Sequence, residues 1–157
     1  MDKPSMFEQA RSLAAGAKII IDSDGITDGD RTRKPSSPVI LCCSLSIEIS
    51  LKLLIAQEGE AAQTGHRLDV LYGALPKLTR NAFEQHAGKA HGHEFVDCLE
   101  SELREHADVF VSWRYAYEQG GELACSPSFL YSLAFALSTF IGDTYQFERN
   151  DNAWLVV

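Results

Sequence analysis

Several sets of polar residues in this sequence have the types and spacing to do chemistry. Glu48 and Lys52 stand four residues apart inside the apolar run VILCCSLSIEISLKLLIAQEG. If that run is helical they share a face with Ser44 and can pair. Arg114 and Glu118, in WRYAYE, repeat the spacing with Tyr117 between them, and His66 precedes the leucine-rich LDVLYGAL. A Lys and an Arg with a His would suit a phosphate, whereas two Glu and an Arg would suit a structural network. The expectation is that Glu48, Lys52, His66, Arg114, Tyr117 and Glu118 meet in one ligand-binding or polar network, with the structural role favoured. His86, His91 and His93 lie close together, but no Cys or acidic residue joins them at a ligating spacing, so neither a metal nor a cofactor is expected. Asp22, Asp24, Asp28 and Asp30 resemble a calcium loop only loosely, because Ile26 and Arg33 occupy positions that need oxygen ligands. They read as turn formers. His106, on an acidic face, is expected at the surface.

The elements that must position these groups read as helices. Met6, Leu13, Ala14, Ala17, Ile20 and Ile21 recur at helical spacing over about 4–21. A flexible loop is expected at 22–37, where Gly, Asp, Ser and Pro accumulate. The run from Ser37 to Gly59 alternates like a strand over Leu45–Leu53. Its length, its Ser-Pro start and its glycine stop favour a helix. Being apolar all round, such a helix is central or shared with a dimer interface. Further helices are expected at 65–76, 77–85, 94–119 and from the Ser126-Pro127 cap to Gly142. A loop is expected at 86–93 and a hairpin or extended tail at 143–157.

At 157 residues the chain is expected to form a single domain spanning 1–157. Its formal charge of −8 would repel a phosphate backbone unless a local basic patch exists. Thr64–His93 is such a stretch. It carries Arg67, Lys77, Arg80 and Lys89 against Asp69 and Glu84, with four of the five histidines. Cys42, Cys43, Cys98 and Cys125 have apolar or small neighbours and form no C-x-x-C pair, and the N-terminus lacks a leader-like apolar stretch. Both favour a cytoplasmic protein. The uncharged run Ser126–Gly142 reads as a core helix, so no membrane is expected.

Three segments, SIEISLKLLIAQEG, GHRLDVLYGALP and WRYAYE, together resemble the HEPN superfamily. These domains combine an E-x-x-x-K helix, a GH-x-L-x-x-L helix and a helix bearing R-Y-x-Y-E. The resemblance covers about 38–118. It implies an all-α antiparallel bundle of four to five helices, usually a homodimer; with the segments read above, about five to six helices are expected here. It also implies RNA cleavage, RNA or nucleotide binding, or a part in toxin–antitoxin pairs or phage defence. Many HEPN nucleases carry R-x4-6-H, which Arg80 and His86 match here. In such a site His moves the 2′-hydroxyl proton and Arg holds the phosphate, without a metal. The family places that motif on a late helix, whereas here it lies mid-chain.

The expectation is thus a HEPN-like helical module associated with RNA or nucleotide, non-catalytic, in a defence or toxin–antitoxin setting. An antitoxin or another protein partner is expected with it. The alternatives are a metal-independent endoribonuclease using Arg80 and His86, and a protein-interaction scaffold.

Overall fold

The computed structural model describes residues 2–28, 31–33, 36–59, 64–115, 118 and 125–147. Among these are seven helices and one short ladder: α1 (Lys3–Asp22), β1 (Ile26–Asp28), β2 (Arg31–Arg33), α2 (Ser36–Gln57), α3 (Leu68–Gly73), α4 (Lys77–His91), α5 (His93–Glu105), α6 (Val109–Arg114) and α7 (Pro127–Thr144). The molecule is thus essentially all-helical.

Local signals set most helix ends. Asp2 caps α1 by accepting from the Ser5 amide, with Pro4 in the first turn. Ser126 caps α7 by accepting from the Phe129 amide, and Pro127 is its first residue. Within 22–37, where a loop was expected, β1 and β2 pair antiparallel with Thr27 opposite Thr32.

Helix α2 is central and packs against α1, α3, α6 and α7. Its contact with α1 is close because small residues meet. Ala10, Ala14 and Ala17 are buried on α1, and the Ser46 hydroxyl donates to the Ala10 carbonyl at 2.8 Å. Lys3 donates to Gln57 at 2.9 Å, so the two helices run antiparallel. By length and composition α2 could cross a membrane, yet 67% of that stretch is buried by its own chain. These neighbours bury most of α2, while Leu41, Leu45 and Ile49, four residues apart on one face, stay half-buried. Leu51, Leu54, Leu71, Phe83, Leu130 and Leu137 complete a continuous core.

Two breaks differ from expectation. The 86–93 stretch is not a loop: α4 continues to His91 and only Gly92, at φ +87°, interrupts the chain before α5. Gly88, which suggested a loop, lies inside α4 facing α5, where a Cβ would come into contact with Val96 Cγ2 at 3.4 Å. Conversely, 94–119 is not one helix. It stops at Glu105, turns through His106–Asp108 and resumes as α6. His106 is buried, not at the surface, and explains the break. Its Nδ1 donates to the Glu102 carbonyl at 2.8 Å, and its Nε2 accepts from the Ser126 amide at 2.8 Å. Beside it, the Ala107 carbonyl accepts from the Leu68 amide at 2.9 Å, which ties the turn to the start of α3. The extra helix end raises the count above the expected five to six. The Asn150–Asn152 part of the tail lies outside the described residues.

All four cysteines are reduced. Burial pushes the Cys43 thiol up to about 12 and the Cys125 thiol up to about 11, from an ordinary value of 9.0. Each keeps in the folded chain a proton that the unfolded chain loses above pH 9. Their contribution to stability is therefore complete below pH 9 and is lost as pH rises toward the folded values. Melting temperature is expected to fall across that alkaline range, and Cys43→Ala to flatten the decline. An equally steep decline in Cys43→Ala would exclude this thiol as a cause.

Candidate functional site

The structure brings together three of the polar positions singled out above. Glu48 is 4% exposed on α2. Its Oε1 accepts from Lys52 Nζ at 2.8 Å, one turn along α2, and lies 2.9 Å from His66 Nδ1, in the segment leading into α3. Glu48 Oε2 is buried with no hydrogen-bond partner. The ring of Phe110 on α6 lies 6.4 Å from that of His66. A buried carboxylate is tolerable only with such partners. Here it pins the α2–α3 connection to the central helix. The other members do not join. Arg114 and Glu118 are exposed. The Arg114 guanidinium lies over the Tyr115 ring, 5.3 Å from its centroid, and neither residue has an ion pair among the described residues. Tyr117 lies outside the described residues.

Arg80 and His86 both lie on α4 but face apart. Six residues at 100° each put them about 120° apart around the helix and about 9 Å along it. The His86 ring packs edge-on against Phe140 of α7 at 5.6 Å, and its Nε2 is 3.2 Å from Thr139 Oγ1. Thr139 already donates to backbone carbonyls of its own helix, so the geometry has His86 Nε2–H donating to it. Arg80 points toward α3 and α5. Its Nε is buried without a partner, beside a small hollow of about 170 Å³ lined also by Tyr72, Glu100 and Arg104. Burial and a 2.7 Å hydrogen bond to Glu84 push the Tyr72 hydroxyl upward, so it stays protonated and donates. Across the same hollow, the hydrogen bond from Arg67 holds the Asp69 carboxyl below its usual range.

The larger hollow was not foreseen. It is an open groove of about 590 Å³ between α4 and α5, lined by Asn81, Glu84, Gln85, Lys89, His93 and Val96. It exists because Thr79, Phe83 and Ala87 turn one face of α4 into the core. The opposite, polar face is thereby left against α5. Its signal in the sequence was the polar stripe Asn81, Gln85 and Lys89 at four-residue intervals, which assigning a loop to 86–93 concealed. No family model, curated protein or solved structure matches the chain. Among the described residues, no three His, Cys, Asp or Glu side chains gather to hold a metal.

Proposed function

We propose that this chain is a non-catalytic, HEPN-like module that associates with RNA or a nucleotide. The observation that carries the reading is the position of the net-positive stretch Thr64–His93, with four basic residues against two acidic ones. It forms α3 and α4, and α4 contributes Lys89 and two carboxamides to an open groove. The groove's volume lies within the roughly 300–1,000 Å³ usual for ligand sites. Lys89 is the cation in the groove lining, set against Glu84, and a local cation is what lets an acidic protein approach phosphate. The absence of catalysis is supported by Arg80 and His86 facing apart, with His86 bonded to Thr139. The family resemblance adds the defence or toxin–antitoxin setting, a homodimer and an antitoxin-type partner, and the cysteine pattern adds a cytoplasmic location.

The test is incubation of the pure protein with mixed RNA in EDTA, with retention and end groups both read. RNA should be retained and stay intact. New 2′,3′-cyclic phosphate ends that disappear in His86→Ala would overturn the non-catalytic part and favour a metal-independent ribonuclease.

A further inference from the structure

We infer that His66 is a modification site: its Nε2 accepts a phosphoryl group from a donor that carries the group on nitrogen. The inference is independent of the RNA reading and rests on how the five histidines are held. Glu48 is 4% exposed, and its Oε1 lies 2.9 Å from His66 Nδ1. A carboxylate only accepts, so Nδ1 carries the proton and the ring's lone pair is left on Nε2. Nothing among the described residues bonds Nε2, and the side chain is 55% exposed. The ring is held from two sides. Two residues on, the Leu68 amide donates to the Ala107 carbonyl at 2.9 Å, and the Phe110 ring lies 6.4 Å away. The other histidines lack this combination. His106 is buried and uses both nitrogens, His86 Nε2 is bonded to Thr139, and His91 Nε2 is buried. His93 is exposed, with no acidic partner among the described residues.

The step is a displacement at phosphorus. The Nε2 lone pair forms the new N–P bond as the donor's N–P bond breaks. The broken bond's electron pair stays on the donor nitrogen, which enters protonated and leaves as a neutral amine. No proton is taken from the protein: Nδ1 keeps its own, and the ring gains a positive charge. Glu48 is the positioning residue, because its carboxylate holds the ring's orientation and stabilises that charge through a charge-assisted hydrogen bond. Lys52 Nζ donates to the same Oε1 at 2.8 Å. A cation on the ring's own anchor favours an anionic incoming group over a neutral acyl one. Transfer from nitrogen to nitrogen conserves the bond type, so it runs without a further energy source.

The experiment treats the full chain with phosphoramidate and follows each histidine by mass spectrometry under alkaline conditions, where the N–P bond survives. In the wild type His66 should react about tenfold or more faster than His93, the effect of one charge-assisted hydrogen bond on the developing charge. Nitrogen NMR should place the group on Nε2. In urea the lead should vanish, because carboxylate and ring separate. His66→Ala should remove the fast site and leave the other histidines at their wild-type rates. Glu48→Gln should bring His66 down toward the rate of His93. If that variant does not fold, Glu48→Met with Lys52→Met removes the same carboxylate and fills its volume. A purely structural Glu48 would alter stability without altering the ratio of His66 to His93. The inference is overturned if wild-type His66 reacts no faster than His93, if the group sits on Nδ1, or if His66 keeps its lead once Glu48 is replaced.

Discussion

Phe83→Ala is expected to destabilise the protein by about 3–5 kcal/mol, the usual loss for truncating a fully enclosed aromatic ring. Phe83 is completely buried and is the largest of the fully buried side chains. It meets Tyr72 edge-on at 6.3 Å and Phe140 at 5.6 Å, so one ring joins α4 to both α3 and α7. The other buried residues of α4, Thr79 and Ala87, are small. No neighbour on the helix can take over its area. The loss therefore combines transferred apolar surface with a cavity that two aromatic rings cannot readily collapse into. Leu78, five residues away, is 83% exposed and provides the control. Leu78→Ala should stay within about 0.5 kcal/mol of the wild type. Denaturant unfolding of the two variants measures the contrast. A loss below about 1 kcal/mol for Phe83→Ala would mean that the core around α4 can repack, against the close packing of protein interiors.

The same residues show what sequence reading could reach. Helix α7 was readable because cap, proline and apolar run agree, as at Ser126-Pro127-Ser128-Phe129, and α2 because its length outweighs its strand-like alternation. The 86–93 segment was misread because a glycine in a helix has two causes that look identical in sequence. Gly88 lies within α4 beside Val96, whereas Gly92 carries a positive φ. Only the packing partner tells them apart. His106 was misread for a related reason. Its acidic neighbours are local, while the Ser126 amide it accepts from is 20 residues away. For the site, Glu48, Lys52 and His66 were readable together because a charged pair inside an apolar helix needs partners. Arg114 and Glu118 have the same spacing yet stay exposed, since spacing alone does not say which way a helix faces. The α4–α5 groove depends on the interhelical gap left beside Gly88, which no local pattern encodes.

Lys52→Ala is expected to cost about 1–3 kcal/mol, more than its partly exposed position alone would suggest. The reason lies in what it leaves behind. Glu48 is 4% exposed, its Oε2 has no hydrogen-bond partner, and Oε1 would retain only His66, whose side chain is 55% exposed. The lysine side chain is itself 20% exposed, and that solvent access keeps the cost below the roughly 3–5 kcal/mol of a fully enclosed pair. His66→Ala should cost less than Lys52→Ala, because its imidazole is largely in water. The decisive comparison replaces both charges. Glu48→Met with Lys52→Met fills similar volume and removes the carboxylate that needed a partner, so it should come close to the wild type or exceed it. Equilibrium unfolding of Glu48→Met, Lys52→Met and the double would then give a coupling well outside additivity. Additive losses would show that Glu48 does not depend on Lys52. A double variant as unstable as Lys52→Ala would locate the energetic role in the shape of this part of α2 rather than in its charges.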